Sequence, residues 1–139
     1  MESFVLGLMV WISSVSGLPL SEDTPEITRV EPAEIARLAN GPGVADPDVE
    51  SGYLALYHAG SGTVLLRSDW DRQSLRDRSI LVHELVHHLQ AAAGRDYVCR
   101  GAMEREAYDV QAAWLEARGA ELLEVMNMNG LFLYAVTRC

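Results

Sequence analysis

The sequence has no lysine: all eleven basic residues are arginine, set against twenty Asp and Glu, for a formal net charge of -9. The missing lysine reads as a coding bias rather than as chemistry. The sign of the charge is informative, because phosphate backbones and anionic membrane surfaces are bound through the cationic patches that an acidic chain lacks. The charge therefore argues against nucleic acid and an anionic membrane surface as partners. Nine of the acidic residues fall within 1–66, where only Arg29 and Arg37 oppose them, and this reads as a solvated acidic face.

Long hydrophobic runs are also lacking. The most apolar stretch, 4–15 (FVLGLMVWISSV), is too short to span a bilayer as a uniform helix. It could serve as a signal-peptide core, and Ser14-Val15-Ser16 resembles a small-x-small cleavage site. The segment before it carries Glu2 and no basic residue, which is wrong for a signal. The favoured reading of residues 1–20 is a packed helix, over about 3–14, ended near Gly17 and Pro19, with a cleaved signal as the alternative. Repeats and low-complexity segments are absent.

What is present is a chain of 139 residues, 49% hydrophobic and 22% charged, which fits one globular domain with a core of its own. Ile27-Thr28-Arg29-Val30 alternates as a short strand. Pro32 suits a helix start, and 33–39 continues it with Ile35 and Leu38 facing inward. Residues 40–52 are turn-rich. A hairpin follows over 53–67, turning through Ala59-Gly60-Ser61-Gly62, with His58 near the turn as a surface residue. After a hydrophilic connection, in which Ser74 and Asp77 are both candidate N-caps, a helix is predicted over 76–93 and closed by Gly94. A second helix spans 102–118, with Met103, Ala107, Val110 and Trp114 as its inner stripe and Gly119 as its stop. The stretch 121–138 is helical in pattern, broken near Asn127-Met128-Asn129-Gly130.

The chemistry is concentrated in the first of those two helices, at His83-Glu84-Leu85-Val86-His87. Residues four apart stack on one helix face, so two imidazoles at this spacing can grip one ion. Glu84 is rotated to the side, where it can reach a water at the metal and take its proton. Neutral nitrogen ligands, an open coordination position and a carboxylate base are what zinc hydrolysis needs. By ordinary residue frequencies this pattern arises by chance in roughly one chain of this length in a few hundred. Leu81, Val82, Leu85, Val86, Leu89, Ala92 and Ala93 form an apolar stripe, with Ile80, His83 and His87 on the neighbouring face turned toward a cleft.

Two histidines need a third protein ligand, and the second helix carries Glu104-Arg105-Glu106-Ala107-Tyr108. His-Glu-x-x-His followed by Glu-x-Glu-Ala-Tyr resembles the gluzincin arrangement of zinc metallopeptidases. It is similar to the Glu-x-x-Ala-Asp motif of Ste24 and HtpX peptidases and the Glu-x-Glu-Ala-Asn motif of ImmA-like peptidases. With Gln90 and Cys99 added, it also looks like small bacterial proteins of this type. The resemblance covers about residues 80–108. It implies Glu104 as third ligand, with Glu106 a rival, and puts Tyr108 where those families have an Asp or Asn that supports a ligand.

The resemblance implies an α+β, single-domain zincin-like fold spanning 1–139: a small sheet with a hairpin, a central metal helix and a following helix that donates a carboxylate. It implies a zinc metallopeptidase that binds one Zn2+ per chain through His83, His87 and Glu104, uses Glu84 as general base and takes a peptide or protein substrate. A strand bordering the cleft and pairing with the substrate is expected at 63–67, and the oxyanion could be met by Tyr97, Tyr108, His88 or Arg105. His88 itself is turned from the ligand face, as a surface or supporting imidazole. The alternatives are a non-catalytic zinc-binding or peptide-binding protein, against which the presence of Glu84 argues, and a domain whose histidines are core residues. A bond between Cys99 and Cys139 would fit an oxidising compartment, two free thiols the cytosol; the bond and an extracytoplasmic location, periplasmic or secreted, are favoured.

Overall fold

A computed structural model describes residues 1–40 and 54–139. The expectations for 41–53, including the turn-rich run and the start of the hairpin, lie outside those residues. Helix α1 (Glu2–Ser16) turns Val5, Leu8, Met9 and Ile12 inward at helical spacing. It ends where Gly17 adopts φ 78°, a left-handed conformation that favours glycine. Strand β1 (Glu26–Val30) and helix α2 (Pro32–Asn40) follow, and then a hairpin of β2 (Ala55–His58) and β3 (Thr63–Arg67).

The sheet order is β1-β3-β2. Strand β1 runs parallel to β3 with Ile27 opposite Val64, and β2 runs antiparallel to it with Tyr57 opposite Val64. This corrects the expectation for 63–67, because β3 is the central strand and β2 lies at the sheet edge beside the helix that carries His83 and His87. The physical reason is visible in β3 itself: Thr63, Val64, Leu65 and Leu66 are all buried, the pattern of a strand covered on both faces. Strand β2 is half-buried along Ala55, Leu56 and Tyr57.

Helix α3 (Leu75–Ala93) begins at Ser74, whose hydroxyl accepts from Asp77 N at 3.1 Å, so Ser74 is the cap of the two candidates. Trp70 seals this corner, burying its ring and donating from Nε1 to Asp77 O at 2.7 Å. Leu81, Val82, Leu85, Val86 and Leu89 bind α3 into the core. Ala92 is exposed, because the helix has by then run past the core. Leu38, expected inward, is 43% exposed, at the mouth of the cleft.

Helix α4 (Arg100–Glu116) packs along α3 through Ala107, Val110, Trp114 and Leu115, and short helices α5 (Leu122–Val125) and α6 (Gly130–Val136) complete the chain. The break between them falls at 126–129, as the sequence suggests. Cys99 and Cys139 are bonded, with Cα atoms 5.7 Å apart, tying the C-terminus to the start of α4. Gly101 serves the same junction: a Cβ there would meet Arg138 O at 2.1 Å. The architecture is a small α+β domain in which α3 packs against both the edge strand and α1, and α4 lies along α3.

Candidate metal centre

The apolar stripe of α3 fixes its rotation, which leaves His83, Glu84 and His87 along the edge that faces a cleft of about 670 Å3. The two imidazole rings lie 5.0 Å apart at 75°. Glu104 reaches across from α4 and places Oε2 3.0 Å from His83 Nε2 and Oε1 3.1 Å from His87 Nε2. One ligand atom from each residue lies within 4.8 Å of the others, and the group could hold a metal ion. Glu106 is turned to the far side of α4, where it accepts from Gln90 Nε2 at 3.0 Å and from Tyr97 OH at 2.6 Å.

The nitrogen tautomers follow from the neighbours. The Gln90 amide faces only acceptors on its nitrogen side, Met103 O and Glu106 Oε1, both at 3.0 Å. Its Oε1 therefore faces His87 Nδ1, 2.8 Å away, and that nitrogen carries the proton. Behind the other histidine, Ser79 Oγ donates to Arg76 O at 2.7 Å and so accepts from Gln111 Nε2 at 3.1 Å. Gln111 Oε1 then accepts from His83 Nδ1 at 3.0 Å. Both Nε2 atoms are left facing the carboxylate of Glu104, contacts that need a shared proton or a cation to be favourable. Two neutral nitrogens and one carboxylate make a donor set that suits a borderline-soft divalent cation.

Electrostatics agree with that geometry. Burial alone would lower the His87 pKa, but the hydrogen bond to Glu104 and the charges of Glu84 and Glu104 outweigh it and push the value up to about 8. Burial would raise Glu104, yet the hydrogen bonds from His83 and His87 hold its carboxyl well below the usual carboxylate range. Tyr108 packs its ring 4.4 Å from that of His83. Burial first, then the charges of Glu104 and Glu84, push its phenol up to about 12, so it stays a neutral donor.

Glu84 Oε2 accepts from the backbone N–H of Tyr57 at 2.9 Å, which ties the carboxylate to the edge strand. The same tyrosine reaches His88 Nδ1 with its hydroxyl at 3.1 Å, while His88 Nε2 donates to Asp23 O at 2.9 Å. His88 is thus not a surface residue: it is buried, and braces the strand that braces Glu84.

Of the four oxyanion candidates, Tyr108 lines the cleft, and its hydroxyl has no hydrogen-bond partner among the described residues. Tyr97 is engaged with Glu106 and His88 with Tyr57, while Arg105 is exposed on α4 and borders other surface hollows. His58 is exposed, as expected, at the rim of the cleft. Sequence reasoning missed Tyr57 and Gln111. A signal for Gln111 existed, since it stands seven residues after Glu104, two turns along the same helix face.

A family model described as "Domain of unknown function (DUF6647)" matches residues 1–139. The chain belongs to the DUF6647 family. No curated protein and no solved structure matches it. Among the described residues, no helix of this DUF6647 chain is long and apolar enough to cross a membrane.

Proposed function

We propose that this DUF6647 chain is a zinc-dependent peptidase of zincin-like design, acting outside the cytoplasm, with His83, His87 and Glu104 as ligands and Glu84 as general base. The observation that carries this reading is the pairing of a two-nitrogen, one-carboxylate donor set with a separate carboxylate, Glu84, held beside it by Tyr57 N at 2.9 Å. A site built only to hold a structural cation has no use for that extra carboxylate, and structural zinc sites close with a fourth protein ligand.

A zinc ion there would supply Lewis acidity, polarising a scissile carbonyl and easing the deprotonation of water. Glu84 would take the proton from the attacking water and hand it to the leaving amine. Tyr108 would donate to the oxygen of the carbonyl as charge develops on it. Because Tyr57 N points away from β3, strand alternation puts the backbone of Ala55 on the same outer edge, and both residues line the cleft. An extended peptide could pair there, which favours a peptide or protein as substrate. The Cys99–Cys139 bond fits an oxidising compartment.

The test is cleavage of a fluorogenic peptide library by zinc-loaded protein. Cleavage abolished both by chelation and by Glu84→Gln supports the reading; zinc uptake without cleavage of any peptide or protein substrate favours a binding role.

A further inference from the structure

Two buried glutamines stand behind the two histidines, and their arrangement is paired. Gln90 and Gln111 are each 1% exposed, one on α3 and one on α4, and each directs Oε1 at a ligand's Nδ1. A buried amide is costly unless its donors and acceptor are met. Both are anchored on the nitrogen side, Gln90 by Met103 O and Glu106, Gln111 by Ser79 Oγ. Reversing the Gln90 amide would set its carbonyl against two acceptors, Met103 O and Glu106; reversing the Gln111 amide would require Ser79 Oγ to give up Arg76 O in order to donate to it. The anchoring therefore imposes one tautomer on each ring.

We infer that Gln90 and Gln111 are the positioning residues of the metal centre, fixing His83 and His87 with the proton on Nδ1 and the Nε2 lone pair turned to the cation. Gln111 takes over a role that position 108 could have filled one turn earlier on α4. Tyr108 is thereby free to face the cleft. Glu106, a possible ligand by sequence alone, instead acts one layer further out: together with Tyr97 it orients the Gln90 amide. Both glutamines are neutral, so they orient the imidazoles without adding charge; the charges around the centre are those of Glu104, of Glu84 and of Arg100, whose guanidinium lies 3.9 Å from Glu104.

This rests on the metal-site reading, and the experiment separates the two. Zinc affinity is measured by competition with a chromophoric chelator, and the zinc-loaded, 15N-histidine-labelled protein is observed by NMR. Native protein should bind zinc through Nε2 of both histidines with a proton on each Nδ1. Gln90→Leu and Gln111→Leu, which remove the acceptor but keep the volume, should each lose about 10–100-fold in affinity. Gln111→Glu keeps an oxygen facing His83 Nδ1 and should stay within about threefold of native or bind tighter, a rescue that a volume effect would not give. Leucine variants that bind like native protein overturn the inference. So does coordination through Nδ1 of either ring in the native spectrum, which decides the matter even if a leucine variant fails to fold. A native chain that takes up no zinc overturns the metal reading itself, and this inference with it.

Discussion

The backbone N–H of Tyr57 donates to Glu84 Oε2 at 2.9 Å, so the carboxylate beside the two histidines is oriented by the edge strand and not by another side chain. A main-chain donor cannot be removed by substituting its own side chain. Besides its ladder with β3, the strand is tied by His88, one turn after Glu84 on α3, through the Tyr57 hydroxyl at 3.1 Å. Strand, Glu84 and the two histidines form one unit.

Replacing Glu84 by Gln should therefore leave metal binding intact while removing the proton acceptor. Peptide cleavage is expected to fall by roughly 10²–10⁴-fold with zinc stoichiometry unchanged, read from parallel activity and metal-content measurements on the purified variant. Loss of zinc in this variant would make Glu84 a ligand and undo the assignment.

The two carboxylates of α4 should behave differently. On the proposed ligand set, Glu104→Gln removes a ligand and should weaken zinc binding by more than roughly 100-fold, whereas Glu106→Gln acts only through the Gln90 amide and should cost about tenfold. Chelator competition on the two variants distinguishes them; the opposite ranking would make Glu106 the ligand.

The pH dependence has a defined shape. In chelated protein, the His87 pKa is raised from 6.5 to about 8, so its contribution to stability is present below 6.5 and lost as pH rises through 8. The Glu104 pKa is lowered from 4.5, so its contribution is present above 4.5 and lost as pH falls below that. Chelated protein should melt highest between pH 4.5 and 6.5. Zinc must displace the His87 proton, so its affinity should climb about tenfold per pH unit below 8 and flatten above it. Melting curves and zinc titrations across pH check both limbs; a zinc affinity independent of pH would contradict the assignment of His87.

Much of this centre was legible because it is local. His83 and His87 meet by helical periodicity, and the stripe from Leu81 to Leu89 sets which way they face. Glu104 follows on the next helix, at a distance that a helix pair can close. Pairings across the sheet were not legible in the same way. The hairpin fixes that β2 and β3 are neighbours but not which of them takes β1, so the sequence alone does not tell which strand borders the cleft. The uninterrupted burial of Thr63 to Leu66 held the answer, because a strand paired on both edges and covered on both faces shows no alternation. Tyr57 contributes to the site through its main chain, which a side-chain pattern does not reveal. Whether His88 is a surface or a supporting imidazole is not legible from its position on α3, because its partners, Tyr57 and Asp23, are remote in sequence.

The Cys99–Cys139 bond closes a loop with a sequence separation of 40 and ties the C-terminal segment over the first turn of α4, shortly before Glu104. Chain-entropy arguments put its contribution at up to about 4 kcal/mol. Reduction, or a Cys99→Ser and Cys139→Ser double variant, should lower stability by about 3 kcal/mol in denaturant titrations and the melting temperature by roughly 10 °C. An unchanged midpoint would mean that the bond adds nothing to the stability of the fold.

The most direct measurement is the metal content of the purified chain, with its melting temperature before and after chelation. One zinc per chain, a melting temperature several degrees lower once it is removed, and recovery on adding it back are the results predicted. A chain that holds no metal and melts identically with and without chelator would reduce His83, His87 and Glu104 to a buried hydrogen-bonded cluster.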